Sequence, residues 1–246
     1  MRMFARPIVA CAGVVLSATL LAGCTDHIVT EPSAEASDRN SVDIVVDPDD
    51  TDQVVLGEIY RQTLARAGRE ATVLKEDKYQ SHGDKGRSLN PEGNFYVGCT
   101  GDFLNFLNPS EVRDISQDYK KAEEDTQPGG EDFLARTHIA LMSSLPTDLA
   151  TVEPSGAYGC EDAEPELPEN FVVVYQKGLF DREEEIAFAS LTKFITQKDL
   201  SDLAEDAEEK GSVEQAVRDW MQSSGGDIVD GEGDSASTGG SDLTSS

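Results

Sequence analysis

Cysteine is scarce in this chain of 246 residues, which holds four, and each of the four can be accounted for. Basic side chains are scarce too. Twenty Lys and Arg stand against 48 Asp and Glu, a formal net charge of −28. Phosphate backbones and anionic headgroups are repelled by such a surface, which excludes nucleic acid as a partner. Long apolar runs are missing: Pro7 to Leu20 is too short to span a bilayer comfortably. The sequence also has no Ser nucleophile elbow, Walker loop, paired Gly-rich phosphate loop or zinc signature. His27, His82 and His138 show no Cys/His spacing suited to zinc or a catalytic dyad. Nothing points to catalytic residues, a metal or a cofactor, so the chain reads as a binding protein and not an enzyme.

What is present begins at the N-terminus. Arg2 and Arg6 form a positive region, the apolar stretch follows, and Leu21-Ala22-Gly23-Cys24 completes a lipoprotein signal. Residues 1–23 are expected to leave, with Cys24 lipidated as a membrane anchor. The alternatives are an ordinary secretory peptide with a chance cysteine, or an uncleaved anchor. Cleavage removes two Arg and no acid, giving a net charge near −30. The expected address is the outer face of a bacterial cell membrane. Cys11 leaves with the signal peptide, so Cys99 and Cys160 remain alone together in an oxidising compartment, where a disulfide is the expected state.

Residues 24–40 read as a disordered tether, and residues 225–246, rich in Gly, Ser and Asp, as a disordered acidic tail. Residues 41–224 are left for one core. Val42–Val46 reads as a buried strand, followed by an amphipathic helix carrying Val55, Leu56, Ile59, Tyr60 and Leu64, stopped at Gly68. Ala71–Lys75 reads as a second strand, which implies a parallel crossover pair. Residues 77–93 read as a polar loop, Asn94–Cys99 as a strand, and the segment near Asp102–Leu107 as a short helix. A helix over 131–144 gathers Phe133, Leu134, Thr137, His138, Leu141 and Met142. Phe171–Gln176 is a near-continuous apolar strand. Asp181 with Glu184, Thr196, and Ser212 with Gln215 announce three closing helices. The fold class expected is α/β, a mostly parallel sheet flanked by helices.

Asp47, Asp49, Thr51 and Glu58 fall at the ligand spacing of a calcium loop. The sixth position is Asp52 where that loop needs Gly, so helix capping is the better reading.

Two stretches carry a resemblance. Ile44-Val-Val-Asp-Pro-Asp-Asp-Thr-Asp-Gln-Val-Val-Leu-Gly-Glu-Ile-Tyr60 is similar to the opening strand, polar turn and Leu-Gly-Glu helix of the substrate-binding lipoproteins of osmoprotectant ABC importers. Asn170-Phe-Val-Val-Val-Tyr-Gln-Lys-Gly178, through Leu200, Ala204 and Ala216-Val-Arg-Asp-Trp220, resembles that family's closing segment. Phe95-Tyr-Val-Gly-Cys-Thr-Gly101 sits where the family has a tyrosine followed by Thr-Gly. The resemblance implies a type II periplasmic-binding-protein fold, a quaternary-ammonium solute such as glycine betaine or choline, and an ABC permease as partner. It assigns ligand contacts to Thr51, Gln53 and Tyr96. Tyr96, Phe103, Tyr158 and Tyr175 are candidates to line an open concavity, with core or rim packing as the alternative.

The departures are as informative. Glu131 to Leu145, followed by Pro146, looks like the helix preceding the family's crossover, and only Thr147–Asn170 separates it from the return segment, 24 residues where the family inserts a complete second lobe. One lobe is therefore expected. Cys99 stands at the family's tyrosine and Cys160 lies in the short replacement, so their bond would fasten the shortcut. Half a cage open to water loses most of its cation–π energy, about 2 kcal/mol per contact at best. The competing reading is a surface lipoprotein that uses its single lobe for protein–protein interaction.

Overall fold

The structure is a computed structural model, and it describes residues 41–81, 87–124, 130–160 and 164–223. The expected signal peptide, Cys24 anchor, tether and acidic tail lie outside these residues. The described residues all belong to one compact unit.

β1 (Val42–Val46), α1 (Thr51–Arg66) and β2 (Ala71–Lys75) form the expected strand–helix–strand unit, with β1 and β2 parallel and Val42 opposite Ala71. α1 starts where Asp50 accepts a hydrogen bond from the Gln53 amide, which satisfies one orphan N–H of the first turn. The Asp47 carboxylate accepts from the Asp49 amide, and Glu58 is held by Arg61 and Gln62. The calcium-like spacing is thus spent on capping and on pairs within the helix.

Next come β3 (Tyr79–Ser81) and β4 (Arg87–Leu89), paired antiparallel, then β5 (Phe95–Cys99) alongside β1 in parallel. The short hairpin replaces the polar loop expected over 77–93. Tyr79 and Leu89, cross-strand partners, pack against the core beneath, which supplies the apolar anchor that the surrounding polar residues conceal.

α2 (Thr100–Leu107), α3 (Pro109–Glu124) and α4 (Phe133–Ser144) follow. α3 escaped the sequence reading, although Pro109 is suited to a first helical turn and Val112, Ile115 and Ser116 form its buried stripe. In α4 that stripe is Phe133, Thr137 and Leu141. Met142, expected with them, is 48% exposed.

β6 (Leu149–Thr151) and β7 (Phe171–Gln176) complete the sheet, and α5 (Arg182–Phe194), α6 (Gln197–Lys210) and α7 (Val213–Ser223) close the chain. The strand order is β2-β1-β5-β7-β6. β7 runs antiparallel to both its neighbours, so four of the five strands point one way.

Alternation along the strands sorts the core into two layers. Val42, Ile44, Val46, Phe95, Val97, Cys99, Phe171, Val173 and Tyr175 face α1 and the closing helices. Val45, Tyr96, Val172 and Val174 face α2, α3 and α4. Sheet between two helical layers is the α/β solution for strands buried on both faces. The Asp181–Glu184 and Thr196–Asp199 capping boxes start α5 and α6, and the Ser212 hydroxyl accepts from the Gln215 amide at the start of α7.

Candidate functional site

In open α/β sheets, ligands meet the carboxyl ends of the strands, where helix N-termini leave unpaired amides. Here β1 and β5 end beside each other, and α1 and α2 begin directly after them. The polar side chains gathered at that edge come from distant parts of the chain.

Lys78, just before β3, stretches across β5 and is 4% exposed. Its ammonium donates to Gln53 Oε1 at 3.1 Å and pairs with Asp102 Oδ2 at 3.4 Å. It also lies 5.5 Å from the centre of the Tyr79 ring, within cation–π reach. The Tyr79 hydroxyl donates to Asp102 at 2.7 Å, while its ring stacks on Phe106 with centroids 4.3 Å apart. Burial, and then the Asp102 charge, push the Tyr79 phenol well above its ordinary range. Gly98 makes the passage of Lys78 over the strand possible. A Cβ there would meet Phe103 at 2.9 Å and the Lys78 stem at 3.0 Å.

Glu169 approaches from the other side. Its carboxylate accepts from the Asp102 amide at 3.1 Å and from the Gly101 amide, so a residue 67 positions away caps α2. Cys99, in the cap position itself, makes no such bond. Glu169 is 4% exposed. Burial raises its pKa to about 8; the neighbouring Asp102 charge adds to this, against the two amide bonds that lower it.

Cys99 and Cys160 are bonded, with sulfurs 2.04 Å apart. Cys160 ends a strap that covers the start of β7: Ser155 donates to the Phe171 carbonyl, Phe171 to that of Ala157, and Gly159 to that of Glu169. Within the 24 residues from Thr147 to Asn170, Leu149–Thr151 form an edge strand and residues 155–160 this strap.

The three ligand residues expected from the sequence go to three places. Gln53 is in the buried polar cluster at the carboxyl edge of the sheet, 1% exposed and bonded to Lys78. Thr51, exposed on the first turn of α1, lines a separate open groove of about 820 Å³ between α1, β2, α6 and α7. Tyr96 faces the other helical layer and is 3% exposed, its hydroxyl donating to the carbonyls of Asn90 and Gly93 at 2.8 and 2.6 Å. The structure therefore does not bring Tyr96 to Gln53. Phe103 and Tyr175 are also packed in the core, and of the four candidate rings only Tyr158 is exposed. His138 is half-buried on α4, and burial lowers its pKa. Sequence reasoning missed Lys78, Asp102 and Glu169, the residues that with Gln53 make up this polar cluster.

No family model matches this chain, and no curated protein sequence matches it. In fold it is similar to apo YehZ from Escherichia coli, with a TM-score of 0.52 at 9% identity, covering 74% of this chain and 98% of that one. That likeness makes the fold substrate-binding-protein-like.

Proposed function

We propose that this chain is a lipid-anchored solute-binding protein of the osmoprotectant importer type, held by Cys24 on the outer face of a bacterial cell membrane. In this reading its solute crevice is filled from within. The observation that carries it is the position of Lys78, a cation seated between an amide oxygen, a carboxylate and an aromatic face. A quaternary ammonium solute has no N–H to donate, but the carboxylate and the aromatic face are what its charge would meet, and the side chain occupies that place at no cost in lost translational freedom.

The test is thermal melting of residues 41–224 with millimolar glycine betaine, choline, carnitine or proline betaine, on the native protein and on Lys78→Ala. The expected result is a shift of at most about 1 °C in the native protein and a clear upward shift in the variant. Absence of any shift in both proteins refutes solute binding at this crevice.

A second reading, interaction with another protein, is favoured by the groove beside α1. Glu58, Glu205, Glu208 and Glu214 rim it, over a floor that includes Val54 and Val73. Crosslinking on membranes followed by pull-down separates the two, because an importer component recovers a permease.

A further inference from the structure

The solute reading leaves one group of reactive side chains unused. A carboxylate oxygen of Glu169 and the sulfurs of Cys99 and Cys160 all lie within 4.8 Å of one another. The two sulfurs are not equivalent. Cys99 is fully buried and occupies the cap position of the eight-residue helix α2. Cys160 is half-buried at the end of the strap, with a left-handed backbone at φ 56° that non-glycine residues rarely adopt. An attacking thiol therefore meets Cys160 first, and Cys99 is the sulfur whose departing charge faces a helix N-terminus.

We propose that the Cys99–Cys160 disulfide is an exchange centre for dithiol reductants, attacked at Cys160, with Cys99 as leaving group and Glu169 as the acid that protonates it. The thiolate of the dithiol forms a bond to Cys160 Sγ, and the Cys99–Cys160 bond breaks with its electron pair going to Cys99 Sγ. The Glu169 carboxyl passes its proton to that sulfur, directly or through one water, and the resulting carboxylate stays held by the α2 amides. The second thiol of the reductant then attacks its own sulfur in the mixed disulfide. This releases the Cys160 thiolate, which takes a proton from solvent, as Glu169 then does. Two electrons pass from the dithiol, which leaves as a cyclic disulfide.

Glu169 suits this role because burial keeps it protonated up to about pH 8. The groups facing it are Asp102, whose charge favours the protonated form, the Gly101 and Asp102 amides, which favour the carboxylate, and the buried Tyr79 phenol, whose own pKa the Glu169 charge helps to raise. Lys78 stands behind Asp102 and is paired with it. Reduction removes the covalent tie between the strap and the start of α2. The inference is independent of any solute.

Two measurements on the native protein test it. Brief exposure to 2-mercaptoethanol, a neutral thiol not repelled by the acidic surface, followed by alkylation and mass mapping, is expected to find the mixed disulfide on Cys160. An adduct on Cys99, or reduction only at the rate of global unfolding, overturns the proposal. The rate with dithiothreitol, expressed per thiolate, is expected to be level below about pH 8 and to fall about tenfold per unit above it. Glu169→Gln is expected to be slower and flat across that range. An unchanged profile in the variant overturns the role of Glu169. Should the variant not fold, the native profile and the site of the adduct decide alone.

Discussion

Glu169→Gln sets two opposing forces against each other. The α2 amides of Gly101 and Asp102 favour a charged carboxylate, as any helix N-terminus does, by about 1 kcal/mol or somewhat more. Burial and the Asp102 charge oppose it and win, raising the pKa from 4.5 to about 8. The sign follows directly. Because the folded value is raised, the stability contributed by Glu169 is fully present below about pH 4.5 and is lost as pH rises through about 8. At about 1.4 kcal/mol per unit, the total lost is on the order of 5 kcal/mol, as an upper bound. Gln keeps an acceptor oxygen for the Asp102 amide and stays neutral at every pH. In urea unfolding at about pH 5 the variant and the native protein should agree within about 1 kcal/mol. Near pH 9 the variant should be the more stable by several kcal/mol, approaching the bound above. Mutual repulsion among the many acids weakens both proteins alike as pH rises, so the difference between them isolates Glu169. A gap that does not change with pH, or a variant less stable near pH 9, would show that the amides win and that Glu169 is a charged cap.

Removing the disulfide as Cys99→Ala with Cys160→Ala releases a crosslink spanning 61 positions. In the chain-entropy model that costs about 4 kcal/mol, or about 8 to 16 °C in melting temperature for a domain of this size; a drop under about 3 °C would mean the strap holds itself in place. Gly57→Ala puts a Cβ 2.6 Å from the Val46 side chain, where α1 lies on β1. Overpacking there should cost about 1 to 3 kcal/mol by urea denaturation, and a neutral result would show that α1 stands further off the sheet.

Much of the fold was legible because it is written locally. β1, β5 and β7 are short, nearly continuous apolar runs, as strands buried on both faces must be. The starts of α5, α6 and α7 were legible because Asp181, Thr196 and Ser212 bond within three residues of themselves. The hairpin β3–β4 and α3 were not, because each rests on two or three apolar residues among many polar ones. The polar cluster was least legible. Lys78 lies 25 positions from Gln53, and Glu169 lies 67 from Asp102. Nothing near a lysine or a glutamate in sequence says that the fold will bury it.

Two local signals nevertheless pointed there. Tyr96 and Cys99 are three apart on one strand, so alternation sends them to opposite faces. A site on one face of the strand can include one of them or the other, and it is Cys99 that lies beside Glu169. The second signal is the start of α2. α1, α4, α5 and α6 open on Asp or Thr caps that bond their own first turn, whereas α2 opens on Cys99, which makes no cap bond. An α2 that begins in the interior without a local cap must draw its acceptor from elsewhere in the chain, because a buried orphan amide is costly. A carboxylate brought in to meet that need is buried by the same packing that hides the amides. Its raised pKa and its place beside the disulfide both follow from one missing cap.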